Sequence, residues 1–196
     1  MEYVDIIEFR LDYFKHLIIN DVIELCRCEF PSIITIRHKN EGGKYYYPDK
    51  YRLELFKTAL EENANYVDVE LNSTICKGVV NYKNQLGNNT KLIISYHNFE
   101  KTPNYKDLKI LVNKGLQLGD ISKIATTVNT SDDILKILRL ISRYRSKIVG
   151  IGMGDIGRLT RILGHKLGNY LTFISFDNKY PLSDSISLNH LNIGDI

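Results

Sequence analysis

Cysteine is scarce and odd in number. Cys26, Cys28 and Cys76 lack paired zinc-ligand spacing, which argues against a disulfide framework or a zinc module and for reduced thiols. Long apolar runs are missing too, so no membrane span is expected. The amino terminus, Met1-Glu2-Tyr3-Val4-Asp5, carries acids where a signal peptide carries bases, so the expected location is cytoplasmic. Charge of one sign is also lacking: 26 basic and 23 acidic residues leave a net +3, with no Lys/Arg cluster and no aromatic-basic alternation. That balance speaks against nucleic acid and suits a small anionic substrate. There is no low-complexity or proline-rich linker. With 196 residues and 43% hydrophobic content, the chain is expected to bury a full core as a single domain, 1–196.

What is present is a rhythm. Short β-branched runs recur at Val4 to Phe9, Ser32 to Ile36, Tyr66 to Leu71, Lys91 to Ser95, Ile121 to Thr126, Lys147 to Ile151 and Leu171 to Phe176. Between them lie stretches with apolar residues at helical spacing: Leu53, Phe56 and Leu60, then Ile134, Leu138 and Ile141, then Leu159, Ile162 and Leu163. Thr130-Ser131-Asp132-Asp133 reads as a capping box, and Ser73 to Gly87 as a weak helix interrupted by Gly78. Strands alternating with helices predict an α/β fold with a parallel sheet.

Strand after strand ends in an ionisable residue: Glu8 and Arg10, Arg37, Glu70, His97, Lys123. An open sheet gathers such ends only at its switch point, whereas a closed (β/α)8 barrel points all of them at one mouth, so the TIM barrel is the expected architecture. About seven β/α strands are identifiable where that barrel has eight, and the first unit is read as missing.

The chemistry centres on Lys123, a single cation in the apolar run Asp120-Ile-Ser-Lys-Ile-Ala-Thr126. Such a lysine either snorkels to solvent or sits where lost hydration favours the neutral amine, able to attack a carbonyl and form a Schiff base. His97 follows the strand Leu92-Ile93-Ile94 in Ser95-Tyr96-His97-Asn98-Phe99. A lone histidine is usually structural, but beside an imine-forming lysine it supplies a base. Glu8, Arg10 and Asp12 alternate with apolar residues and are expected to share a face, and Glu41 lies in a glycine loop after Arg37. Gly152-Met-Gly-Asp-Ile-Gly157 matches G-x-G-x-x-G, with Asp177 ending the next strand. It supports an alternative reading, a nucleotide- or anion-binding α/β domain.

Taken in order, Glu8-Phe9-Arg10, Arg37 with Glu41-Gly42-Gly43, Ser95-Tyr96-His97-Asn98-Phe99, Ser122-Lys123-Ile124-Ala125 and Met153 to Arg161 resemble type I 3-dehydroquinate dehydratase along nearly the whole chain. The resemblance implies a (β/α)8 barrel, a homodimer, no metal or organic cofactor, and a hydro-lyase of the shikimate pathway acting on 3-dehydroquinate. It implies Lys123 as the Schiff-base lysine, His97 as general acid/base and Glu41 as the acid that orients the histidine. Glu8, Arg10, Arg37, Arg161, Met153 and Phe173 are implied as substrate-binding positions. The family's first strand and helix have no counterpart before Met1. The stretch Tyr180 to Ser185 offers, in register, neither the serine nor the glutamine that cover the substrate in the family. A truncated barrel with impaired activity is therefore a further alternative.

Overall fold

Six of the seven expected strands join one sheet in the computed structural model, which describes residues 4–175 and 186–187. They are β1 (Ile7–Arg10), β2 (Ser32–Thr35), β3 (Tyr66–Glu70), β4 (Lys91–Asn98), β5 (Ile121–Thr127) and β6 (Ile148–Met153). The strand order is β1-β2-β3-β4-β5-β6. The first three pairings are parallel, with Arg10 opposite Thr35, Thr35 opposite Asp68, and Glu70 opposite Ser95. Every residue of β2 is buried, which explains its unbroken Ser-Ile-Ile-Thr sequence: a parallel strand covered on both faces has no alternation to show.

The seventh expected strand differs. Only Ile174–Ser175 (β7) is extended, and it pairs in parallel with Ile186–Ser187 (β8) as a separate two-stranded sheet, not as a seventh member of the six. Phe176, Asp177, the Tyr180 to Ser185 stretch and His190 lie outside the described residues.

The helices are α1 (Ile19–Cys26), α2 (Asp49–Glu61), α3 (Cys76–Leu86), α4 (Tyr105–Leu118), α5 (Ser131–Arg143) and α6 (Leu159–Leu167). The weak helix expected from Ser73 to Gly87 is α3, stopped by Gly87 in the left-handed conformation at φ 63°. None of the helices among the described residues is long and apolar enough to cross a membrane.

The chain divides into two compact units. The first comprises Met1–Tyr96 and Asn113–Ser122. Its core gathers Ile34, Val67 and Val69, and Leu92 and Ile94 from the strands, with Ile36 just after β2, against Leu55, Phe56, Ala59, Leu60 and Val79 from α2 and α3. The second comprises His97–Val112 and Lys123–Ile196, and buries Ile124, Val128, Val149 and Ile151 with Ile137, Leu140 and Ile141 of α5.

Two helix faces depart from the expected stripes. On α2 the buried face is Arg52, Leu55, Phe56, Ala59 and Leu60, while Leu53 is only half-buried, because a paired arginine takes a core position. On α6 the pattern inverts. Thr160, Arg161 and Gly164 face inward, and Leu159, Ile162 and Leu163 stay 45–48% exposed. Close packing requires this: a Cβ at Gly164 would already lie 3.2 Å from Ile141 Cδ1, so the small side of the helix is the one that fits.

The capping box of α5 forms as expected, with Asp133 Oδ2 accepting from the Thr130 and Asn129 amides at 3.1 and 3.0 Å. Burial alone would raise the Asp133 pKa, but the Lys136 ammonium and these two amides outweigh it and hold the carboxyl below its ordinary value. The folded state then binds fewer protons there than the unfolded one. Its stabilisation is complete above the ordinary carboxyl value of about 4 and is lost as pH falls through the lower folded value. Asp133→Ala is expected to cost about 1 kcal/mol at neutral pH. In urea titrations that difference should shrink below about pH 4; a pH-independent difference would contradict it.

Candidate active site

In the first unit, the ends of β1 to β4 carry a charged cluster. β1 stops at Arg10, and a 3-10 turn, Leu11–Tyr13, follows at once, so Asp12 is not on the strand as its spacing suggested. The turn nevertheless brings Asp12 back to Arg10. Asp12 is fully buried and accepts from Arg10 Nε at 2.8 Å and Arg10 Nη2 at 2.9 Å. It also accepts from the main-chain amides of Arg37 at 3.3 Å and Lys44 at 3.0 Å, the two ends of the loop that contains Glu41. Burial would weaken the charge of Arg10, but the Asp12 carboxylate more than restores it and raises the guanidinium pKa. Beside this pair, the Thr35 hydroxyl donates to Glu8 Oε1 at 2.8 Å, fixing the glutamate across the β1–β2 register.

Arg37 is 3% exposed and its guanidinium is engaged on several sides. Nη2 meets Asp68 Oδ2 at 2.9 Å, and Nη1 donates to Glu70 Oε1 at 3.3 Å and to Ser95 Oγ at 2.6 Å. The Ser95 hydroxyl in turn donates to Asp68 Oδ1 at 2.6 Å. Burial would lower the Arg37 pKa, but the Asp68 and Glu70 carboxylates drive it far upward, so the cation is permanent.

Glu41 ends a 3-10 turn, Lys39–Glu41, closed by Gly42 at φ 85°. The loop is more tightly tied than a flexible glycine loop. A Cβ at Gly43 would sit 2.1 Å from the Arg37 carbonyl oxygen, so only glycine permits the chain to return against its own stem. His38 accepts the Asn40 amide on Nδ1 at 3.1 Å.

The second unit holds the lysine. Lys123 lies in β5 at 5% exposure, with Nζ 4.1 Å from the centroid of the Phe173 ring. An aromatic face at that distance excludes water on one side and still accepts a cation when the amine is protonated. His97 lies near the end of β4, the neighbour of β5 in the strand order, and stacks with Phe99 at 6.3 Å between centroids. Directly after it, the Asn98 side-chain oxygen accepts the Glu100 and Lys101 amides, both at 3.0 Å, so a side-chain-capped turn ends the strand.

Met153 closes β6, and its carbonyl oxygen accepts the Val128 amide at 3.0 Å. Arg161 is buried on the inner face of α6. The glycine motif between them has a packing explanation. A Cβ at Gly157 would lie 2.6 Å from the Gly152 backbone, and one at Gly152 would lie 2.8 Å from Val128 Cγ2. The Gly152 amide donates to the Thr160 hydroxyl at 2.8 Å, so this N–H does not point at an anion. Close approach accounts for these two glycines without a dinucleotide.

Glu8, Arg10, Arg37 and Glu41 thus fall in the first unit, and His97, Lys123, Met153, Arg161 and Phe173 in the second. Asp68, Ser95 and Arg52 join the first cluster without having been singled out for it. Asp68 and Ser95 could have been found as polar residues inside apolar strands, while Arg52 looks like an ordinary helix-surface cation. Among the described residues no three His, Cys, Asp or Glu side chains are grouped to hold a metal ion.

Comparison with known proteins identifies the family. A family model described as Type I 3-dehydroquinase matches residues 1–192. A 3-dehydroquinate dehydratase of Methanococcus maripaludis is 44% identical over 191 residues, covering 97% of this chain and 87% of that protein. One from Methanocaldococcus jannaschii is 43% identical, covering 97% and 86%. A crystal structure of type I 3-dehydroquinate dehydratase from Clostridium difficile with covalently modified comenic acid superimposes with a TM-score of 0.86 at 28% identity, over 97% of this chain and 80% of the other. The enzyme from Aquifex aeolicus gives 0.77 at 34% identity, over 87% and 79%.

Arg37→Met would take a cation away from two buried carboxylates, Asp68 and Glu70, of which Glu70 keeps its second pair with Arg52. The expected loss is about 3–5 kcal/mol of folding stability, read from the urea midpoint. A variant as stable as the parent would show that these carboxylates do not depend on Arg37.

Proposed function

We propose, from the premise that this chain belongs to the type I 3-dehydroquinase family, that it converts 3-dehydroquinate to 3-dehydroshikimate and water by imine catalysis in the shikimate pathway. The observation that carries the reading is Lys123, a nearly buried amine in a parallel strand with an aromatic ring against it.

The chemistry follows from what such an amine does. Neutral Nζ adds to the C3 ketone, and the adduct takes up one proton from solvent and loses water to give a protonated imine. The imine is an electron sink that acidifies the neighbouring C2–H. His97, as general base, removes the C2 proton and leaves an enamine. The same residue, now an acid, protonates the C1 hydroxyl as the enamine electrons expel it as water. Hydrolysis of the product imine frees the lysine. The remaining roles are proposals on the same footing: Glu41 orients His97, and Glu8, Arg10, Arg37, Arg161, Met153 and Phe173 bind substrate. A guanidinium fork suits the substrate carboxylate, which supports Arg161 in that role.

The finer architecture is also inferred: one (β/α)8 barrel domain of the TIM type. A homodimer is proposed, supported by the exposed apolar residues Leu159, Ile162 and Leu163; a monomeric mass by sedimentation equilibrium would remove it. Cytoplasmic location and action without a cofactor are proposed with the family reading.

Borohydride reduction in the presence of 3-dehydroquinate, followed by peptide mass mapping, is expected to place the adduct on the Lys123 peptide and to give none with Lys123→Ala. His97→Ala is expected to lower kcat about 10²–10⁴-fold while still forming the adduct. Full turnover by Lys123→Ala would contradict the mechanism.

A further inference from the structure

Glu70 ends β3 with an ionisable group that none of the proposed catalytic steps uses, and Arg52 occupies a core position of α2, where a cation has no packing reason to be. The two residues form one buried pair, each 1% exposed, with Arg52 Nη2 and Glu70 Oε2 at 2.7 Å. What the pair holds is specific. Arg52 Nε and Nη2 donate to the Ile36 carbonyl oxygen at 3.1 and 2.7 Å. Glu70 Oε1 accepts the His38 amide at 2.7 Å and Arg37 Nη1 at 3.3 Å. The main-chain groups on both sides of Arg37, together with its side chain, are thus fixed by one ion pair. The far end of Arg52 is anchored too, to Asp49 Oδ1 at 3.1 Å and Ser73 Oγ at 3.4 Å.

We infer that Arg52 and Glu70 are positioning residues: the pair sets the main chain and guanidinium of Arg37, and with them the start of the loop that carries Glu41. The inference rests on the proposed function for its kinetic consequence and on the hydrogen bonds alone for its structural one. A fork is needed because one guanidinium bridges a carbonyl and a carboxylate at once. A lysine keeps the charge and lacks the geometry.

The test uses Arg52→Lys, which keeps Glu70 compensated, and the double variant Arg52→Leu/Glu70→Met, which removes both charges together so that neither is stranded. Two readouts are taken on the full chain: steady-state kinetics with 3-dehydroquinate, and amide hydrogen exchange at His38 without substrate. In Arg52→Lys the KM for 3-dehydroquinate should rise about tenfold, with kcat within a factor of about three, the pattern of lost binding and not of lost chemistry. In an Arg37→Lys background the same change should add little, because Arg52 acts through Arg37. Exchange at His38 should quicken at least tenfold in the double variant.

A fully additive KM effect, or an unchanged KM with unchanged His38 exchange, would overturn the inference. Should the parent protein fail to turn over 3-dehydroquinate, the functional reading falls. The exchange measurement then decides the positioning role by itself: faster exchange at His38 supports it and unchanged exchange overturns it.

Discussion

The first unit depends on keeping a permanent cation dry. Arg37 has left water almost completely, and a buried guanidinium persists only if its donors are met by acceptors of opposite charge. Asp68 and Glu70 from β3 and the Ser95 hydroxyl from β4 meet them, and Arg52 from α2 balances the second carboxylate. The segment after β2 is therefore tied by charge to β3, β4 and α2, beside the main-chain pairing of the strands. Such a network does not necessarily add stability over an apolar core, but it penalises any arrangement that breaks one partner away. That intolerance suits a cluster whose neighbours, Glu8, Arg10 and Glu41, are proposed to meet substrate or orient the catalytic base.

The second unit solves the opposite problem. The amine of Lys123, proposed to attack a ketone, must spend time uncharged to do so. The Phe173 ring centroid lies 4.1 Å from its Nζ and limits hydration on that side. The two basic side chains thus divide the work by chemistry. The guanidinium, which cannot deprotonate, stands where fixed charge is held; the ammonium, which can, stands at the position proposed for the nucleophile.

Much of this was legible in the sequence. The strands β1 to β6 stood out because a parallel strand covered on both faces reads as a short apolar run, and Lys123 stood out because it interrupts one. The chain of ionisable strand ends pointed to the charged cluster for the same reason. Where the reading departed, a pair or a close contact was the cause. Arg52 lies outside the expected apolar spacing of its helix, and its partner Glu70 is 18 residues away, so no local pattern marks it as core. The α6 stripe of Leu159, Ile162 and Leu163 looked like core because hydrophobicity does not reveal that Gly164 must face Ile141. The glycine motif imitated a phosphate loop because the backbone approach of Gly152 and Gly157 demands the same residue as an anion cradle would. Asp12 reached Arg10 through a turn that no strand periodicity encodes.

Imine chemistry leaves a mark that does not depend on trapping an intermediate. Forming the imine expels the C3 ketone oxygen of 3-dehydroquinate as water, and hydrolysis of the product imine returns a solvent oxygen to that carbon. Turnover in ¹⁸O-enriched water, quenched before uncatalysed exchange and read by mass spectrometry, should give 3-dehydroshikimate labelled at the C3 carbonyl in every molecule formed. Product that keeps the original ketone oxygen would mean that water is eliminated through an enolate, with Lys123 never bonded to substrate.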